Sequence, residues 1–205
     1  RWCTKYERVG PWVAPWNRSR RGAWLSIVAA VGCLALLGGL ASSMRGAHSS
    51  GPIATVSDEY ARYLTERQRE IRTYAMRYGI TPDLAALIID ISRSVGVDTD
   101  IAFRLIEVES GFNPYARSPM GALGLTQLMP ATARWLYPGI DLNRHIFDPE
   151  INVRLGLEYL KLLIDQYNGD LRLALLAYNR GPGTVNRLLV QGIDPENGYA
   201  LAILE

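Results

Sequence analysis

Helix start signals recur through most of this chain, and apolar residues at helical spacing follow them. Thr81, Asp98, Asp148 and Asp170 have the short polar side chains that cap helix N-termini, and a proline follows Thr81 and Asp148 at the first helical position. Behind Thr81, leucine and isoleucine return every three or four residues, as on the buried face of a helix. No five-residue stretch alternates well enough to require a strand. The chain from residue 57 onwards is therefore predicted to fold as a mainly α domain.

The helix boundaries follow from these caps and from glycines that end the helices. A charged helix over 57–79 is predicted to connect the domain to what precedes it. Residues 111–123 are rich in turn formers and are predicted to be a loop. The other predicted helices are 82–95, 99–110, a short one near 124–128, 130–137, 149–167, 171–179 and 184–191.

The N-terminal part of the chain has the pattern of a segment that enters a membrane. Residues 24–41 contain no charge, and as a helix they would extend roughly 27 Å, close to the ~30 Å hydrocarbon core of a bilayer. The tail over 1–23 has six basic groups and one acidic group, so the positive-inside rule places it in the cytoplasm and the body outside. An uncleaved anchor, a cleaved signal peptide and a lipidated Cys33 all remain open. Residues 42–56 are rich in serine, glycine and alanine, which is typical of a flexible linker.

Composition excludes several classes of active site. The two cysteines lie in the first 33 residues, and two histidines, His48 and His145, are too few for a multi-histidine metal centre. After residue 23 the chain has 16 basic and 19 acidic groups, which argues against non-specific binding of nucleic acid. The remaining chemistry depends on carboxylates, hydroxyls and amides.

Glu109 is the candidate acid. It ends a largely apolar predicted helix beside the loop 111–123, where partial burial and the negative end of the helix dipole would raise the pKa of a carboxyl group. A glutamate at a helix end is also commonly an ordinary surface residue, so position alone leaves both interpretations open. Glu107 is about 200° away around the helix and cannot act as its partner.

Two further groups of residues supply amides, a thioether and a phenol. Gln127 and Met129 lie near a predicted turn, and Tyr178 and Asn179 end a predicted helix. Each pair could serve only in packing or capping. Together they favour hydrogen bonds to neutral hydroxyl and acetamido groups, which suits a sugar polymer better than a phosphate.

The order of these residues resembles that of lytic transglycosylases. The matching blocks, within about residues 81–199, are ESGFNP (109–114), SPMGA (118–122), GLTQLMP (124–130), DPEINVRLG (148–156) and AYNRGPG (177–183). The resemblance implies a lysozyme-like catalytic domain over 80–205, in the periplasm of the bacterial cell envelope. It also implies that the chain cleaves the β-1,4 bond between N-acetylmuramic acid and N-acetylglucosamine in peptidoglycan glycan strands. No metal or cofactor is expected.

The resemblance also assigns roles to residues. It makes Glu109 the single catalytic carboxylate, first a proton donor and then a base, so that a 1,6-anhydromuramic acid end is formed without water. The residues that would orient this acid or bind the glycan are Ser110, Ser118, Gln127, Met129, Tyr178, Asn179 and Tyr199.

The chain departs from the family pattern at two places. Thr126 stands where the family usually has methionine, so we expect a different groove floor. Glu196, Asn197 and Gly198 stand where the family usually has Glu-Thr before the later tyrosine. Three alternatives stay open: a goose-type lysozyme-like hydrolase of the same bond, a non-catalytic peptidoglycan-binding module of an envelope assembly, and an enzyme that opens the wall locally for a secretion complex.

Overall fold

The side chains selected as helix caps make the expected hydrogen bonds. In the computed structural model, Thr81, Asp98, Asp148 and Asp170 each accept the backbone N–H of the third residue after them, at 2.9 to 3.3 Å. Such a bond satisfies one of the amide groups that a helix leaves unpaired at its N-terminus. These four predicted helix starts are confirmed.

The structure describes residues 52–205, with side chains from residue 56. The predicted basic tail (1–23), the anchor or signal segment (24–41) and most of the linker (42–56) lie outside the described residues. Within 52–205, no helix is long and apolar enough to cross a membrane. The helices of this part are α1 Pro52–Tyr78, α2 Pro82–Val95, α3 Thr99–Ser110, α4 Pro130–Leu136, α5 Leu142–His145, α6 Pro149–Gln166, α7 Leu171–Arg180, α8 Pro182–Val190 and α9 Tyr199–Leu204.

Two apolar clusters share helix α6. The larger cluster contains buried side chains of α2, α3, α6 and α7, among them Ile88, Phe103, Leu157 and Leu175. The smaller one lies beside α4 and α5 and includes Leu128, Ile146 and Leu155. Tyr159 of α6 packs against both clusters. The apolar periodicity of the sequence thus produces the mainly helical domain that was predicted, with Asp58–Glu205 as one compact unit.

Helix α1 is longer than predicted and its C-terminal turns pack on the domain. It begins at Pro52, so residues 52–56 are helix and not linker, which accords with the preference of proline for the first helical turn. Ile71 and Ala75 are buried, and the Tyr74 and Tyr78 rings stack on Phe103 at centroid distances of 4.2 and 5.2 Å. The predicted connecting helix is therefore part of the folded domain along its last turns.

The prediction of a helix near 124–128 is wrong. Residues 124–127 form a turn that is closed by an isolated bridge between Leu123 and Leu128. The backbone of Gln127 has φ 46°, in the left-handed region, which a right-handed helix cannot include. The predicted loop over 111–123 is confirmed.

The sequence analysis did not predict the two short helices α5 and α9. Asp141 caps α5 by accepting the N–H of Asn143 at 3.1 Å. Helix α9 has no side-chain cap and only six residues, too few to show a periodicity, yet Ala200 and Ile203 are fully buried. Helix α9 is stabilised by packing against α3 and α7. Because those helices are distant in the chain, the residues of α9 by themselves give little indication that they form a helix.

Candidate active site

Glu109 lies in the last turn of α3, directly before Ser110. The helix ends because Gly111 adopts the left-handed conformation with φ 56°, and its N–H bonds to the carbonyl of Glu107. The inward face of α3 is buried, and its last turn lies beside the loop 123–128. Burial raises the pKa of the Glu109 carboxyl from 4.5 to about 7. The expectation of a desolvated acid is thus supported by the structure.

Two tyrosines face this carboxyl. The hydroxyl of Tyr199, at the start of α9, donates a hydrogen bond to Glu109 Oε1 at 2.5 Å, and this bond lowers the pKa of the carboxyl against the effect of burial. Tyr178 of α7 also interacts with Glu109, and its hydroxyl donates to the carbonyl of Thr126 at 2.9 Å. Burial, and then the charge of Glu109, raise the pKa of both phenols. Both therefore stay neutral hydrogen-bond donors at physiological pH.

Ser110 connects α3 to the loop 123–128. Its Oγ is 2.7 Å from the carbonyl of Leu125 and 3.1 Å from the carbonyl of Ile106. Because this hydroxyl and that of Tyr178 bind the carbonyls of Leu125 and Thr126, α3 and α7 both hold the loop. The loop is thereby fixed relative to Glu109.

Asn152 of α6 also holds the loop 123–128, through its side-chain amide. Its side-chain oxygen accepts the N–H and the hydroxyl of Thr126, both at 2.9 Å, and its amide donates to the carbonyls of Leu123 (3.0 Å) and Ile146 (2.9 Å). Asn152 is 1% exposed, so these bonds are shielded from water. A side chain on Gly124 would place its Cβ 2.3 Å from this amide, which explains why glycine stands there.

Thr126 does not form the groove floor. It is fully buried, and a Cβ on Gly156 of α6 would lie 2.3 Å from its hydroxyl oxygen. The expectation that threonine here changes the groove floor is therefore wrong, because the side chain points into the domain. Its size is instead matched to the absence of a side chain at Gly156.

Three of the remaining candidate residues lie on loops, and Asn179 lies in α7. Ser118 Oγ accepts the N–H of Ala122, and the Gln127 amide donates to the carbonyl of Gly124, each within its own turn. Met129 precedes α4 and is 42% exposed. Asn179 lies near the end of α7, where its side-chain oxygen accepts the amide of Asn197 at 2.9 Å. Of the candidate residues, Tyr199 thus makes a hydrogen bond to Glu109 itself. Ser118, Gln127 and Asn179 make their hydrogen bonds to other residues, and Met129 is exposed.

Sequence reasoning missed Asn152 and Asn197. Asn152 belongs to the matched block at 148–156, but in the sequence that block indicates only a helix start, and nothing in it shows that the asparagine is buried. Asn197 stands out in the sequence only as a departure from the family pattern. In the part of the chain that the structure describes, no group of three or more His, Cys, Asp or Glu residues could hold a metal ion.

The comparisons with known proteins agree on one family. The family model described as "Transglycosylase SLT domain" matches residues 86–195. The soluble lytic murein transglycosylase of Escherichia coli K12 is 37% identical over 93 residues, which cover 43% of this chain and 14% of that protein. The membrane-bound lytic murein transglycosylase C of Mannheimia succiniciproducens is 33% identical over 132 residues, covering 58% and 36%. The chain thus spans well under half the length of these two relatives.

Solved structures give the same result. An inactive mutant of the lytic transglycosylase Slt from Pseudomonas aeruginosa, with glutamine in place of a glutamate, superposes with a TM-score of 0.50 at 31% identity, covering 58% of this chain and 22% of that one. A 70-kDa soluble lytic transglycosylase in complex with bulgecin A gives a TM-score of 0.54 at 25% identity, covering 71% and 28%.

Proposed function

Because the chain belongs to the transglycosylase SLT domain family, we propose that it is a lytic transglycosylase acting on peptidoglycan. The bond cleaved is the β-1,4 linkage between N-acetylmuramic acid and N-acetylglucosamine. The observation that carries this proposal is one partly buried carboxyl, Glu109, whose pKa is raised by desolvation to about 7. The glutamate-to-glutamine mutant of the Pseudomonas relative, which is inactive, supports a glutamate in this role.

Glu109 acts first as a proton donor. With a pKa near 7, about half of the molecules carry the proton at neutral pH, whereas a carboxyl with a pKa of 4.5 would be almost fully ionised. The proton goes to the glycosidic oxygen as its bond to C1 of the muramic acid breaks. The positive charge that develops at C1 is stabilised by the N-acetyl oxygen of the same sugar.

The ionised Glu109 then acts as a base. It takes the proton of the C6 hydroxyl of the muramic acid, and that oxygen attacks C1 to close the 1,6-anhydro ring. The tethered hydroxyl outcompetes water because its effective concentration is high. These two proton transfers need only one carboxylate. The side chain hydrogen-bonded to Glu109 within residues 56–205 is the phenol of Tyr199 and not a second carboxylate. Glu107, two residues earlier, is exposed.

The groups around Glu109 suit a neutral sugar polymer. We infer that Ser118, Gln127, Met129 and Asn179 contact the glycan through hydroxyl, amide and thioether groups. Ser110 and Tyr178 orient the loop that lies beside the acid, since their hydroxyls are bound to its carbonyls. Bulgecin A, which is bound in the 70-kDa relative, should then bind to this chain as well.

The cell envelope is the proposed location. The uncharged stretch 24–41 and the name of the membrane-bound relative both support export of the domain to the periplasm. Fractionation of cells, with the mass of the mature protein, distinguishes an anchor from a cleaved signal peptide or a lipidated Cys33. A chain of full mass in the membrane fraction indicates the anchor, a shortened soluble chain indicates the signal peptide, and added lipid mass indicates lipidation.

Digestion of purified peptidoglycan tests the reaction. The full chain, purified in mild detergent, is incubated with peptidoglycan sacculi, and the muropeptides are identified by mass spectrometry. Glu109→Gln is the test variant, and Glu107→Gln is the matched control for removal of a carboxylate from the same helix. We expect 1,6-anhydromuramic acid ends with the wild type and Glu107→Gln, and none with Glu109→Gln.

The other outcomes correct the proposal in defined ways. Reducing ends, one water heavier, would assign the chain to the hydrolases. A folded wild type that binds the sacculi and releases nothing would favour the non-catalytic module.

A further inference from the structure

The segment 191–198, between α8 and α9, leads directly to Tyr199. Most of its residues are exposed, Pro195 is buried and Glu196 is partly exposed. A surface hollow of about 360 Å³, lined in part by Ile193, Asp194 and Pro195, lies against it. Apart from the buried Pro195, packing therefore contributes little to the placement of this segment, and polar contacts hold the exposed residues on either side of it.

Two arginines of α7 hold the middle of the segment. Arg172 binds Asp194 Oδ1 through Nη2 at 2.6 Å and Glu196 Oε2 through Nε at 3.0 Å. Arg180 donates to the carbonyl of Pro195 at 2.7 Å. Three consecutive residues of the segment are thus fixed to the helix that also carries Tyr178 and Asn179.

Asn197 and Glu196 fix the last residues before Tyr199. The Asn197 amide donates to Asn179 Oδ1 at 2.9 Å, and its oxygen accepts the N–H of Tyr199 at 3.3 Å. Glu196 Oε1 accepts the N–H groups of Asn197 and Gly198 at 3.0 and 2.8 Å. The first residue of α9 is therefore held by these side chains and by packing of the Tyr199 ring against the larger apolar cluster, whereas burial of Ala200 and Ile203 holds the rest of the helix.

Tyr199 is the point at which this network reaches the candidate acid. Its hydroxyl donates to Glu109 Oε1, and a displacement of α9 at its first residue would lengthen that bond. The ionisable groups that face Glu109 are Tyr199 from α9 and Tyr178 from α7, and burial keeps both phenols neutral. The protonation of Glu109 thus depends on burial and on the placement of Tyr199.

We propose that Asn197, Glu196 and Arg172 are positioning residues that hold the segment 194–198 so that the Tyr199 hydroxyl reaches Glu109. They act on Glu109 through Tyr199. The effect of these residues on the reaction rate rests on the proposed transglycosylase function. Their effect on the position of Tyr199 and on the titration of Glu109 is independent of that function.

The test measures the titration of Glu109 directly. The full chain, labelled with ¹³C at glutamate carboxyls, is titrated by NMR as wild type, Asn197→Ala, Tyr199→Phe and the double variant, with Glu109→Gln to assign the resonance. The Tyr199 hydrogen bond lowers the pKa of Glu109, so its loss should raise that pKa by about one unit in Tyr199→Phe. Asn197→Ala should raise it in the same direction by less, and should add nothing in the Tyr199→Phe background.

A matched control and a second variant complete the test. Asn186→Ala removes another exposed asparagine, whose side-chain oxygen accepts the Tyr167 hydroxyl at 2.8 Å, and should leave the titration unchanged. Glu196→Ala should repeat the effect of Asn197→Ala, and it replaces that variant if Asn197→Ala fails to fold. The pH–rate profile on peptidoglycan should shift with the titration.

The possible results separate the two proposals. An unchanged Glu109 titration in folded Asn197→Ala and Glu196→Ala, or an equal shift with and without Tyr199, would overturn the positioning role. A shifted titration in a chain that releases no muropeptides would leave the positioning role standing and reject the transglycosylase.

Discussion

Replacement of Glu109 by glutamine should stabilise the domain at neutral and alkaline pH and lose this effect in acid. A buried carboxyl whose pKa is raised resists ionisation in the folded state. A rise from 4.5 to about 7, at 1.36 kcal/mol per unit, corresponds to about 3 kcal/mol. Glutamine has a similar shape and no charge to bury, so it avoids this cost.

The sign of the pH dependence follows from proton linkage. Below pH 4.5 the carboxyl is protonated in both states, and its contribution to stability is fully present. Between pH 4.5 and 7 the unfolded chain releases the proton and the folded chain keeps it. The free energy of unfolding of the wild type therefore falls by about 1.36 kcal/mol per pH unit there, and the loss is complete above pH 7.

Urea denaturation followed by circular dichroism, at pH values from 4 to 8, measures this effect. The difference in free energy of unfolding between Glu109→Gln and wild type should increase by about 3 kcal/mol over that range. A constant offset from the altered hydrogen bond with Tyr199 does not affect this slope. Glu107→Gln is the control for charge removal from an exposed site of the same helix. A difference that stays flat from pH 4 to 8 would refute the burial argument and the acid role that depends on it.

Three further substitutions test how the loop beside Glu109 is held. Asn152→Ala removes the side-chain acceptor of the buried Thr126 N–H and the side-chain donor to the carbonyls of Leu123 and Ile146, so it should lower the free energy of unfolding by roughly 3 kcal/mol in urea denaturation. Gly156→Ala places a methyl group 2.3 Å from the Thr126 hydroxyl and should cost about 1–3 kcal/mol, seen as a lower Tm. Ser110→Ala should cost about 1–3 kcal/mol and reduce muropeptide release, because it frees the loop from the helix that carries Glu109. Wild-type values for any of them would show that the corresponding contact does not hold the loop.

The sequence determined the helices that are capped locally. Thr81, Asp98, Asp148 and Asp170 each bond to an amide three residues away, so both partners lie within one short segment and are visible in the sequence. The ordered blocks around Glu109 also predicted the family, and the family comparison confirmed it. The roles assigned to individual site residues stay predictions.

Only the tertiary structure decided how the site is assembled. Tyr199 reaches Glu109 across 90 positions of the chain, and Asn152 bonds to Thr126 across 26 positions. Helix α9 exists because Ala200 and Ile203 are buried by other helices, and the inward direction of Thr126 depends on Gly156. Contacts between distant segments leave no periodic or local signal. The sequence therefore predicted a partly buried glutamate at a helix end and, through the resemblance, named Tyr199, whereas the folded domain supplied the hydrogen bond between the two side chains.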